Sequence, residues 1–217
     1  LIQHGIGGTI ENFTILGKGF NQGAGILTVK NILVKNCRIK NDQVGISVIN
    51  EGYQIENVII TSVDLGVYGG CASINCNNVL KNCVIVVPNN TSQGVNTGSG
   101  NYEISNNIIL YTGDANFEPG IYVSAANKIN ITNNLISNFG NGVSFDTVLD
   151  TAFVRNNIIT YQSSNGSAAG IWTSGNRIFA NNLIFINSKK GIYQSGSGFV
   201  RSDYNIFWNN DVNLVGV

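Results

Sequence analysis

Three periodicities in this chain predict an all-β solenoid, a right-handed parallel β-helix of about nine coils with three short strands to the coil. An Asn-led apolar tetrad returns about every 21 to 27 residues, and a Gly-Ile or Gly-Val pair falls between successive tetrads. An apolar residue also stands two positions before each leading Asn. Composition agrees with this. Asn and Gly supply the polarity while charged residues make up only 11% of the chain, and both of those residue types disfavour helix interiors.

Within a coil the tetrad comes first. It begins at Asn12, Asn36, Asn57, Asn82, Asn106, Asn133, Asn156 and Asn181, and a ninth, Tyr204-Asn205-Ile206-Phe207, lacks the leading Asn. Asn tolerates the left-handed backbone of a tight turn, and its amide can bond to the amide of the next coil. The second run carries Gly25-Ile26, Gly45-Ile46, Gly66-Val67, Gly94-Val95, Gly120-Ile121, Gly142-Val143, Gly170-Ile171 and Gly191-Ile192. Because these glycines recur with the coil, they read as turn residues. The third run is marked by Ile10, Val34, Ile55, Leu80, Ile104, Ile131, Val154 and Phe179. Each run alternates with period two and is bounded by Gly, Asn and Ser. No such coil closes a core alone, but stacked at about 4.8 Å per coil its inward Ile, Val and Phe form continuous ladders.

The whole chain, 1–217, reads as a single domain, and the start at Leu1 with no Met leads us to expect a mature product or a piece of a longer protein. Neither end offers an amphipathic helix to cover the open coil. Twelve basic residues balance twelve acidic ones, which gives no electrostatic case for nucleic acid. No apolar run approaches the roughly 20 residues of a membrane-spanning helix. The four cysteines fix no redox compartment: Cys71 and Cys76 could bridge a loop or stay free, whereas Cys37 and Cys83 fall in the inward column beside Asn and read as buried thiols. With one histidine, His4, and a lone Cys71-x4-Cys76, no metal site or cofactor is expected.

Length variation gathers at Val86 to Gln93, Leu110 to Pro119 and Thr160 to Ala169, each just before a glycine run, so one edge collects the insertions. On that run the residue after the inward Ile or Val points outward: Leu27, Ser47, Tyr68, Asn96, Tyr122, Ser144, Trp172 and Tyr193. Tyr68, Tyr122, Trp172 and Tyr193 offer flat apolar faces on which sugar rings stack. Ser124, Asp146, Ser174 and Ser195 stand two residues further along, rimmed by Asp114, Glu118, Tyr161 and Ser163. Three readings fit this row: a glycan surface, strand aromatics stacked for stability, or a surface buried against another subunit. For catalysis the carboxylates to consider are Asp146 and Glu118, with Asp114 and Asp150 nearby; a pair across a glycosidic bond could act as acid and base. Asp and Glu in solenoid turns are otherwise solvated or bonded locally.

The repeat, from about Ile10 to Phe207, resembles the pectate-lyase-like superfamily of right-handed parallel β-helices with its asparagine ladder. The resemblance implies the scaffold far more than an activity. The segment from Cys37 to Val48 is similar to the coil in which polygalacturonase-type hydrolases carry adjacent aspartates, but this chain has Gln43 and Val44 there and no Gly-His-Gly. The lyases of this superfamily need clustered carboxylates for calcium and a basic residue. The outward column here (Lys35, Glu56, Lys81, Ser105, Thr132, Arg155 and Ala180) has no such cluster. No specific enzyme family is matched; an enzyme on this scaffold would be a polysaccharide lyase or a glycoside hydrolase. The expectation is an extracellular, cell-surface or virion-tail domain that binds a polysaccharide. The competing one is a structural segment of a tailspike, adhesin or fibre, oligomeric through its uncapped ends or its aromatic face.

Overall fold

The computed structural model describes residues 2–4, 7–17, 23–29, 31–89, 92–113, 118–160 and 168–217. Every pairing between its named strands is parallel, and the strands stack into a three-faced solenoid. The tetrads form the first face, with Ile15, Ile39, Ile60, Ile85, Ile109, Ile136 and Ile159 in a single file. The Gly-Ile/Val runs form the second, here called the glycine face, in which Ile26, Ile46, Val67, Val95, Ile121, Val143, Ile171 and Ile192 are in register. Among the described residues nine strands, from Gly8–Glu11 to Phe199–Asp203, make the third, or return, face. The inward files on all three faces are almost wholly excluded from solvent, so one apolar core runs along the stack. Strands Arg38–Asn50 and Ile59–Cys71 continue unbroken from the first face onto the glycine face.

The two roles assigned to Asn separate onto adjacent residues. The leading Asn of each coil takes the left-handed turn, with φ between 53° and 62° at Asn12, Asn36, Asn57, Asn82, Asn106, Asn133, Asn156 and Asn182. The residue after it points into the core, and there Asn107, Asn134 and Asn157 build a buried amide ladder. Asn107 Nδ2 donates to Asn134 Oδ1 at 3.0 Å, and Asn134 Nδ2 donates to Asn157 Oδ1 at 2.9 Å. Each Oδ1 also accepts the backbone N–H of the residue one coil earlier, at Cys83, Asn107 and Asn134. Cys37, Val58, Cys83 and Leu183 fill the same column in other coils and are all buried.

Three sequence expectations shift in the eighth coil. Its left-handed residue is Asn182, not Asn181, and Ile159 pairs with Phe185. One strand earlier Val154 pairs with Ala180, so Phe179 faces outward and the outward column holds Asn181 in place of Ala180. The reason is local. Asn181-Asn182 looks like the Asn-Asn pairs of the preceding coils, but here Leu183 takes the buried position and the second Asn makes the turn.

The repeating glycines are also not turn residues. None has a positive φ; among the described residues the glycines that do are Gly23, Gly100, Gly175 and Gly216. They mark close approach instead. A Cβ on Gly94 would lie 2.3 Å from Ile109 Cγ2 and 2.6 Å from Gly120 O of the next coil.

All four cysteines are free thiols. Cys37 and Cys83 are buried, as their place beside Asn predicts. Burial pushes the Cys83 thiol up to about 12, leaving about one molecule in ten thousand as thiolate at about pH 8. Alkylation at that pH followed by mass spectrometry is expected to leave Cys37 and Cys83 unmodified in the folded protein and to modify both in denaturant. Modification of Cys83 in the native state would show that the thiol column is open to solvent.

Candidate functional site

The outward residues of the glycine face form one file in register: Leu27, Ser47, Tyr68, Asn96, Tyr122, Ser144, Trp172 and Tyr193. Parallel in-register pairing sets neighbouring members about one coil apart. Ser144 therefore lies on the floor between Tyr122 on one side and Trp172 on the other, and it is 95% excluded from solvent (5% exposed). Its hydroxyl has no hydrogen-bond partner among the described residues.

A cavity of about 360 Å³ opens here, lined by Gln93, Glu118, Pro119, Tyr122, Asn141, Ser144, Asp146 and Trp172. It brings together five of the residues singled out from sequence: Glu118, Tyr122, Ser144, Asp146 and Trp172. Tyr68, Tyr193 and Ser174 are not among its lining residues. Tyr68 lies two coils before Tyr122, and Tyr193 carries the Lys190 ammonium over its ring at 4.1 Å. Of the neighbouring serines, Ser124 and Ser195 donate to backbone carbonyls of the preceding coil, at Thr97 and Thr173. Asp150 is on a return-face strand, Val148–Arg155, where it accepts from Thr151, and so is not beside Asp146. Asp114, Tyr161 and Ser163 lie outside the described residues.

The polar groups in the cavity hold one another in place. Tyr122 donates its phenol to Asp146 Oδ2. Gln93 Nε2 donates to Glu118 Oε2 at 2.7 Å, and Asn96 Nδ2 donates to Gln93 Oε1 at 2.8 Å. The bond to Asp146, then burial, then the fields of Asp146 and Glu118 push the Tyr122 phenol up to about 12. Tyr122 is thus a neutral donor at physiological pH. The cavity offers acceptors at its two carboxylates, amides at Gln93 and Asn141, and ring surface at Trp172.

Gln93 and Asn141 were not found from sequence. By strict alternation from Val95 and Val143 they should face the core, yet both are only half-buried. Gly94 and Val95 are buried in succession, as are Gly142 and Val143, so the alternation breaks at the glycine. Counted backward across that break, alternation gives the wrong side.

A second aromatic cluster shows what stacking for stability looks like in this molecule. On the return face Phe153 and Phe179 stack at 5.3 Å, Phe199 meets Phe179 edge-on, and the Arg155 guanidinium lies 5.0 Å from the Phe153 ring centre. Those rings cover one another. Among the described residues no ring–ring pair involves Tyr68, Tyr122, Trp172 or Tyr193. On the return face the Lys and Glu of the outward column pair across coils, Lys35 with Glu11 and Lys81 with Glu56, which makes them a charge ladder.

The geometry defines a parallel β-solenoid with a groove on one face. The chain belongs to the family described as the right handed beta helix region, whose match covers residues 22–168, more than half of the chain. No curated protein and no solved structure matches it. Among the described residues no helix is long and apolar enough to cross a membrane.

Proposed function

We propose that this β-helix is a carbohydrate-binding domain acting outside the cell or at a surface, with its ligand seated in the groove between Tyr122 and Trp172. The observation that carries the reading is the state of those two rings. Among the described residues they flank a buried, unpartnered serine hydroxyl and stack on no other ring, while the return-face phenylalanines are consumed by each other. A sugar ring has one apolar face and a rim of hydroxyls, and so matches an indole beside carboxylate and amide acceptors. Asp146 and Glu118 serve here first as hydrogen-bond acceptors. A processing role would add acid and base work at the same two groups.

The test is a glycan array probed with the wild-type chain and with the Tyr122→Ala/Trp172→Ala double variant. Each ring contributes about 1 kcal/mol of contact, so the double variant is expected to lose at least about tenfold in affinity. Binding that survives the double substitution removes the groove from the reading. The competing structural role, packing against further copies, instead requires an oligomer that light scattering of the same sample detects as concentration rises.

A further inference from the structure

We infer that the groove selects an amine-bearing sugar, a glycan whose ring carries a protonated amino group, and rejects uronic acids. The inference rests on the carbohydrate reading above and concerns the charge of the ligand. Two carboxylates, Glu118 and Asp146, line the cavity, and none of its lining residues is Lys or Arg. The cation over the neighbouring Tyr193 ring, Lys190, is not among the lining residues either. The Asp146 carboxylate accepts from the Tyr122 phenol, a neutral donor that leaves the negative charge in place. On the return face, by contrast, Glu11 and Glu56 are each matched by a lysine of the next coil, Lys35 and Lys81.

The second observation is the Ser144 hydroxyl, 5% exposed, on the floor of the same cavity and without a partner. Ser144, on the strand Asn141–Phe145, and Asp146, just past its end, both line this cavity. An ammonium group has three donors and no acceptor. It can give one hydrogen to the Asp146 carboxylate and another to Ser144 Oγ while its ring rests on Trp172. A uronate carboxylate in the same place would face two like charges, where an ammonium meets two opposite ones. Acetylating the amine removes the charge and keeps the ring, which isolates the proposed effect.

The experiment is titration calorimetry at about pH 6, where the amine is protonated. Three oligosaccharides of equal length are compared: glucosamine, N-acetylglucosamine and galacturonate. The expected order is glucosamine tightest, by about three- to tenfold over the acetylated chain, with galacturonate undetected. The preference should shrink as salt rises, and Asp146→Asn should bring the glucosamine-to-acetylglucosamine ratio close to one. Equal affinity for the first two, or preference for galacturonate, overturns the charge inference and leaves the carbohydrate reading standing. If none of the three binds and the array is also blank, both fall together.

Discussion

Asn134→Ala is expected to lower the free energy of unfolding by about 3–5 kcal/mol, measured by urea denaturation. Asn134 is the middle rung of the buried amide ladder. Its Oδ1 accepts the Asn107 backbone N–H at 2.9 Å and the Asn107 side-chain amide at 3.0 Å. Its Nδ2 donates to Ile104 O and to Asn157 Oδ1, both at 2.9 Å. Truncation strips partners from buried groups above and below at once, and each stranded donor or acceptor costs about 1–3 kcal/mol. The adjacent Asn133 provides the control. It makes the left-handed turn at φ 57° and takes no part in the buried ladder, so Asn133→Ala costs only the conformational preference, about 1–2 kcal/mol. Equal losses for the two variants would show that the buried amides do not stabilise the stack beyond the turn itself.

Gly94→Ala is expected to cost about 4 kcal/mol or more, or to prevent soluble folding. One of the two atoms its methyl would strike is the backbone carbonyl of Gly120, and the other is a core Ile109 methyl group. The side chain can shift, but the carbonyl belongs to the next coil, and moving it opens the parallel ladder on the glycine face. Gly23→Ala is the comparison. Gly23 has φ +87° with nothing within 4 Å of an added Cβ, so that substitution carries backbone strain of about 1–2 kcal/mol and no collision. Thermal melts of the two variants should separate by many degrees, because about 1 kcal/mol moves the midpoint of a domain this size by roughly 2–4 °C. Similar midpoints would mean that the coils tolerate a wider spacing than the ladder registers.

Part of the site was legible in the sequence for the same reason as the fold. Tyr122, Ser144 and Trp172 could be placed in one outward file because Ile121, Val143 and Ile171 precede them in one inward file, and strand alternation does the rest. Glu118 and Asp146 were legible as neighbours of that file. Gln93 and Asn141 were not, since two successive buried residues at Gly94-Val95 and Gly142-Val143 interrupt the alternation used to count them. The slip at Asn181 has a related origin: a dipeptide repeats, but the buried position it usually fills has passed to Leu183.

What this sequence determines by itself is the solenoid: its periodicities specify three faces, the inward files and the outward row, because every coil must present like side chains to the coils above and below. The tertiary structure alone decided which Asn is buried, why the glycines are required, and which outward residues meet. Those outcomes depend on distances between coils, such as the 2.6 Å from a Gly94 Cβ to the Gly120 carbonyl or the 3.0 Å between two buried amides. Separations of that kind arise only once the chain has stacked upon itself, and no spacing along a single strand encodes them.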